Sequence, residues 1–250
     1  MSPMWKHDSA TGEVINITRH YVVVKWDGVN GDWHYTHEQA QKFMAICDMP
    51  IAAPSANPSG RISPSTADHV YAGLAGKIDL ILDGGPCENG LESTIIDCSG
   101  EAPVLLRPGG ISRAAIETAL HSAGLHCRLR DTNALLNHGQ PVAPGQLQSH
   151  YAPDASVRLN ATSQQGDEEL IGFGPIPGAG ELSLSLSQSG NIKEAAANLF
   201  SMLHQANAVT TGTNRRIAIA PIPKDGIGEA INDRLQRAAA LRNESSGATK

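Results

Sequence analysis

The chain has 250 residues, enough for one large or two modest domains with their own hydrophobic cores. Apolar residues make up 40% and charged residues 18%, which excludes an intrinsically disordered chain, and a net charge of −6 excludes a general polyanion binder. With 4% aromatics against 25 glycines and 15 prolines, the composition favours an Ala-rich α/β protein with many turns over an aromatic-packed β-sandwich.

Residues 1–48 form a first zone. GEVINI and YVVVKW are rich in β-branched residues and predict two strands. Asp27-Gly28 and Asn30-Gly31-Asp32 supply turns before a third short strand around Trp33–Tyr35. Thr36 and Gln39 fit a capping box that opens a helix over Glu38–Ile46. All 3 tryptophans of the chain lie in this β-rich segment.

A second zone spans 49–127. Ile51-Ala52-Ala53 predicts a short buried strand, and PSANPSGRISPST a loop. Ser63 is an expected N-cap with Pro64 at the first helical position of a helix reaching about Ala75. IDLILDGG reads as a fully buried strand, STIIDC and PVLLRPGG as two more. Ser112 is expected to cap a helix through about Ala123, ended by Gly124. A linker at 128–153 leads into a third zone, 154–242. There ELIGFG and ELSLSLS predict strands, and Asn191 with Glu194 predicts a capping box for the helix IKEAAANLFSMLHQAN. RRIAIAPIP gives another strand, Gly228–Leu241 a last helix, and 243–250 a polar tail.

Four segments carry chemistry. PSANPSG offers small hydroxyl and amide groups that let a backbone approach a phosphate, and equally fits a structural Ser/Pro turn. Ser93, after the DGGPCENG turn, either points its hydroxyl into a cleft or marks a plain loop-to-strand transition. Arg107 ends an apolar strand, where its fork suits a phosphate or carboxylate, or an ion pair with Asp79, Asp83 or Asp97. His150-Tyr151 sits in the linker as either a lid or a domain-packing anchor. His34 and His37 read as surface residues without a third ligand. The 4 cysteines (Cys47, Cys87, Cys98, Cys127) form no C-x-x-C pair, so no metal site is expected. No apolar run reaches a membrane span and the first residues lack a secretory signal, so a cytoplasmic protein with free thiols is expected.

The order of these motifs is more specific than any one of them. PIAAPSANPSG, SPSTADHV, IDLILDGGPCENGLESTIIDC and PVLLRPGGIS resemble the second half of the YrdC-like domain. APGQLQSHYAP, IAIAPIP and GIGEAINDRLQRAAA resemble the linker and C-terminal domain of the two-domain threonylcarbamoyl-AMP synthases. The resemblance implies an α/β architecture: a partial YrdC-like mixed α/β domain, a small α/β C-terminal domain, and a short β-rich N-terminal segment. It also implies a reaction, in which L-threonine, bicarbonate and ATP give threonylcarbamoyl-AMP and pyrophosphate, with Mg²⁺. The product serves the tRNA threonylcarbamoyl-transfer machinery, and no membrane or direct nucleic-acid contact is expected. By the same resemblance Ser55, Ser63, Arg107 and Tyr151 bind ATP, while Ala53 and Ser93 bind threonine; no side chain is assigned a covalent or acid–base role. The family's Thr-Tyr-Gly-Leu-like segment and its Lys-x-Arg pair have no counterpart in residues 1–49, so the first half of the YrdC-like domain is expected to be absent. The alternative is a non-catalytic remnant acting as a nucleotide-binding or protein-interaction module.

Overall fold

The computed structural model describes residues 54–131, 143–145, 147, 149–176 and 184–240, the backbone of 12–17 and 22–26, and helical positions 42, 45 and 46. The expected strands at 33–35 and 51–53, the capping box at 36–39, the histidine pair His34/His37 and the polar tail lie outside the described residues. The chain divides into two compact units. One comprises Met1–Pro58 with Ser63–Glu88, the other Ser59–Ile62 with Asn89–Lys250.

In the first unit, β1 (Gly12–Ile17) pairs antiparallel with β2 (Val22–Trp26), the hairpin that the β-branched runs predict. Helix α1 (Ala67–Leu74) begins later than expected. Its N-cap is Thr66, not Ser63, and the Thr66 hydroxyl accepts from the His69 amide at 3.3 Å. Pro64 does not forbid a cap at Ser63, since an N-cap is itself extended; Thr66 takes the role because its hydroxyl reaches the His69 amide. Ala67 and Val70 pack with Ala56 and Ile81. The IDLILDGG segment buries Leu80, Ile81 and Leu82 but joins no ladder among the described residues. An unbroken apolar run reports burial on both faces and says nothing about who pairs with its backbone.

The second unit holds two sheets. β3 (Ile95–Asp97) and β4 (Val104–Arg107) are antiparallel, and β5 (Arg130–Asp131) adds to β4 in parallel. Ser112 caps α2 (Arg113–Ser122) as expected, its oxygen accepting from the Ala115 amide, and Gly124 follows the helix at φ 80°. β6 (Val157–Arg158), β7 (Glu169–Gly172), β8 (Leu184–Ser185) and β9 (Ile217–Ile219) make an all-parallel sheet in the order β6-β9-β7-β8. Two-residue strands such as β5 and β6 carry too little pattern to be read in advance, and among the described residues of ELSLSLS the ladder takes Leu184–Ser185.

Helices α3 (Ile192–Thr210) and α4 (Gly228–Ala239) bury their apolar stripes against one sheet face. Leu199, Phe200 and Leu203 of α3 and Ile231 and Leu235 of α4 meet Ile171, Ile217 and Ile219 in one core. The alternate strand residues Leu170 and Ala218 face the other way and pack with Ala161. The N-terminus of α3 departs from a simple capping box. Asn191 Oδ1 accepts from the amides of Lys193 and Glu194 at 2.9 and 3.2 Å. The Glu194 carboxylate instead accepts from the Ser187 hydroxyl at 2.6 Å, and Ser187 Oγ accepts from the Asn191 amide at 2.9 Å. A serine thus relays the bond that the box makes directly.

Candidate functional site

The second unit brings Ser93, Arg107 and Tyr151 together. β4 ends at Arg107 opposite Ile95, and beyond that pair the two chains stay zipped. The Gly110 amide donates to Glu92 O at 3.1 Å, and Thr94 exchanges hydrogen bonds with the backbone of Ile111. Gly109 permits this approach. A Cβ there would lie 2.4 Å from Glu92 O and from Thr94 N, and 2.5 Å from Ser93 C. Ser93 itself is exposed, so its hydroxyl faces solvent while its carbonyl is held.

Arg107 is 9% exposed. Nε and Nη2 donate to Ser93 O at 3.2 and 2.9 Å, and Nη1 donates to Pro144 O at 3.2 Å. The guanidinium therefore bridges the start of β3 to the linker, and carbonyls take the place of the aspartate partner that sequence alone left open. Burial lowers its pKa while the Glu92 carboxylate opposes that shift; an arginine keeps its charge under such a penalty.

Tyr151 is 1% exposed and holds a left-handed backbone at φ 60°. That conformation costs a bulky residue about 1–2 kcal/mol and persists only where surrounding contacts enforce it. Here they do. The ring packs against His150 at 4.1 Å and Phe200 at 5.5 Å between centroids, and the phenol lies with Arg107 around Gly145. Burial, reinforced by Glu92, pushes the phenol pKa up to about 12. Gly145, at φ 83°, makes the space: a Cβ there would sit 2.5 Å from Tyr151 Oη and 3.3 Å from Arg107 Cδ. Tyr151 is thus a packing anchor and a neighbour of Arg107 at once.

Three further residues organise this cluster and were not singled out in the sequence. Glu92 accepts from Arg234 Nε at 2.9 Å. Arg234 of α4 is fully buried, and its guanidinium carbon lies 5.4 Å from the Tyr151 ring centroid. Arg237 donates to Leu147 O at 2.8 Å and bonds Asp233. The signal for Arg234 was legible: it occupies the apolar stripe Ile231, Leu235, Ala238, where a charge must have a partner. Burial, with Arg237, Arg234 and Arg107 adding to it against Glu92, lowers the His150 pKa.

Ser55 and Ser63 belong to the first unit. Ser55 is exposed with its carbonyl accepting from the Asn57 amide at 3.0 Å, and Ser63 is 5% exposed. Ala53 lies outside the described residues. Among the described residues no group of three or more His, Cys, Asp or Glu could hold a metal ion.

Comparison with known proteins matches both parts of the chain. The family model described as "Threonylcarbamoyl-AMP synthase, C-terminal domain" covers residues 111–240, and that described as "Telomere recombination", the Sua5–YciO–YrdC family, covers 35–109. Among relatives, the threonylcarbamoyl-AMP synthase of Bacillus subtilis is 34% identical over 221 residues, 82% of this chain and 62% of that protein. The same enzyme of Pyrococcus abyssi is 34% identical over 223 residues, with the same coverage of each. A crystal structure of P. abyssi Sua5 complexed with L-threonine superposes with a TM-score of 0.65 at 32% identity, over 81% of this chain and 62% of that one. The chain therefore spans about 62% of the length of these relatives. The fold is the mixed α/β arrangement that the motifs predict, and the chain belongs to the Sua5/YrdC family of threonylcarbamoyl-AMP synthases, carrying the C-terminal domain and part of the YrdC-like domain.

Proposed function

We propose that the chain acts in threonylcarbamoyl-AMP synthesis, joining L-threonine, bicarbonate and ATP to give threonylcarbamoyl-AMP and pyrophosphate. One observation carries this reading above the others. Arg107 ties the backbone of Ser93 to the linker beside Tyr151, so three residues from separate motifs meet at one wall. The P. abyssi relative in the structure described above is bound to L-threonine, which supports an amino-acid subsite on the same framework.

In this reading the exposed Ser93 hydroxyl receives threonine, whose amine captures carbon dioxide as a carbamate. The carbamate oxygen attacks the α-phosphorus of ATP and the bond to the pyrophosphate oxygen breaks. The protein's work is to hold the reactants in line and to offset phosphate charge. Arg107 is suited to that task. It is a desolvated cation whose Nη1 rests on a neutral carbonyl, and exchanging Pro144 O for a phosphate oxygen would pair that cation with an opposite charge in the fork geometry a guanidinium suits. Tyr151 limits water access to a hydrolysable product. Ser55 and Ser63 bind ATP from the PSANPSGRISPST loop, and Ala53 leaves room for threonine. Mg²⁺ enters with the nucleotide, which suits an ion that keeps its waters and binds through phosphates.

The test is threonine-dependent pyrophosphate release from ATP, bicarbonate and Mg²⁺. We expect release that falls sharply in Arg107→Lys and in Ser93→Ala, the second being an exposed position where folding is not at stake. A folded wild-type chain that binds nucleotide but releases no pyrophosphate would defeat the proposal and leave a nucleotide-binding module.

A further inference from the structure

The C-terminal domain contributes a buried arginine to a cluster that the first-half motifs build. Arg234 is 0% exposed, yet sits on the core-facing stripe of α4. A guanidinium in that place must be compensated. Its Nε donates to Glu92 at 2.9 Å and its Nη1 to Asp233 at 2.7 Å, while its Nη2 is buried without a hydrogen-bond partner. Its charge lies over the Tyr151 ring within cation–π range. Glu92 directly precedes Ser93, whose carbonyl holds Arg107.

The same helix also grips the linker. The His150 amide donates to Arg237 O at 3.3 Å, the Ser149 hydroxyl donates to Ala240 O at 3.3 Å, and Arg237 Nη1 donates to Leu147 O at 2.8 Å. Arg237 is braced in turn by Asp233, one residue from Arg234. One turn of α4 therefore fixes the residue before Ser93 on one side and the backbone around Tyr151 on the other. A buried ion pair serving packing alone could be replaced as a whole by apolar side chains of similar volume, a change that is often neutral or stabilising.

We propose that Arg234 is a positioning residue, holding Glu92 and the Tyr151 ring in register so that the C-terminal domain sets the geometry of the Ser93–Arg107–Tyr151 wall. This rests on the reading of that wall as the substrate site, but its test does not need turnover. A left-handed Tyr151 has other backbone states open to it, and Arg234 with Arg237 selects one of them.

The experiment uses the whole chain labelled with 3-fluorotyrosine. There are 4 tyrosines, and the Tyr151 resonance is assigned by its loss in Tyr151→Phe. Arg234→Met should shift and broaden that resonance, and the His150 amide should exchange with deuterium about tenfold faster. Arg234→Lys should restore both in part, since an ammonium still meets Glu92 and the ring. Leu170→Ala is buried on the opposite face of the sheet and lowers stability, but should leave the Tyr151 resonance in place. Should Arg234→Met not fold, Glu92→Gln keeps the shape, deletes the charge partner and must shift the resonance the same way. An unaltered Tyr151 resonance in either folded variant, or a change no larger than in Leu170→Ala, overturns the proposal. If the wild-type chain releases no pyrophosphate yet Arg234→Met moves Tyr151, the activity is refuted and the positioning role stands. Where turnover is measurable, Arg234→Met should lower kcat more than Arg234→Lys at saturating threonine.

Discussion

Replacing Gly145 by alanine tests the geometry around Arg107 and Tyr151 most directly. Two costs combine. The backbone stands at φ 83°, where an added Cβ costs about 1–2 kcal/mol. The methyl would also lie 2.5 Å from Tyr151 Oη, roughly an ångström inside ordinary contact. Tyr151 is 1% exposed and braced by His150 and Phe200, so the phenol has nowhere to retreat. Overpacking of this kind adds about 1–3 kcal/mol. Restricting the unfolded chain returns about 0.4–1 kcal/mol to alanine, leaving a net loss of about 1–4 kcal/mol. Gly124 is the control, because it has φ 80° with nothing within 4 Å of the place a methyl would take. Gly124→Ala carries the backbone cost without the clash, so urea midpoints of the two variants should differ by the overpacking alone. The clash is with one oxygen, and Tyr151→Phe deletes it. In that background Gly145→Ala should cost little more than Gly124→Ala, a coupling that a double-mutant cycle reads out. An equal cost for Gly145→Ala with and without the phenol would show that Tyr151 Oη does not sit against Gly145, and the wall as described would be wrong.

Gly109→Ala should be harsher, since its Cβ meets only backbone of residues 92–94; we expect a loss of roughly 3 kcal/mol or more in chemical denaturation, with Ser93 displaced. The Tyr151 phenol is an acid whose pKa in the fold is raised from 10.0 to about 12. Its contribution is fully present below pH 10, where the unfolded phenol is also protonated, and is lost as pH rises from 10 to about 12; that loss of about 3 kcal/mol should be missing from the pH–stability curve of Tyr151→Phe. The His150 pKa moves the other way, so its imidazole is neutral in the fold when the unfolded one begins to charge below 6.5, and stability should fall with pH from there, less so in His150→Gln. Asn191→Ala removes the oxygen that caps two amides of α3 and should lower the denaturation midpoint by an amount equivalent to about 1 kcal/mol, which Asn191→Ser should largely recover.

Legibility in the sequence followed the range of the interaction. Ser112 and Asn191 were readable as caps because a cap acts over three residues, and the chain states both partners. Ser63 failed on the same scale: three hydroxyl residues, Ser63, Ser65 and Thr66, compete for one role, and nothing local in the sequence ranks Thr66 first. Arg107 was conspicuous as a charge ending an apolar strand, but its partners are carbonyls of Ser93 and of Pro144, 37 residues on, and backbone acceptors leave no compositional trace. IDLILDGG showed its burial and not its pairing, since it joins no ladder among the described residues. Arg234 pairs with Glu92 across 142 residues; the stripe on α4 announced that a buried charge needed compensation, while only the fold identifies the carboxylate.

The charges around Tyr151 follow one logic. Arg107, Arg234 and Arg237 converge on the linker, and Glu92 and Asp233 are the acidic groups that face them there. Burial lowers the His150 pKa, and the three guanidiniums add to that against Glu92. The same excess of guanidinium over carboxylate charge, counted among the described residues, would favour an anion over a further cation there. Asp233 and Glu92 do not cancel this preference, because each is engaged by an arginine of α4: Glu92 by Arg234, and Asp233 by both Arg234 and Arg237. Arg107 is the member of the set whose hydrogen bonds go to neutral groups, the carbonyls of Ser93 and Pro144. The C-terminal helix, by occupying the carboxylates, leaves Arg107 as the cation that can exchange a neutral acceptor for a charged one. A domain remote in sequence from Ser93 and Arg107 thereby sets which guanidinium would be open to an anion in the proposed reading.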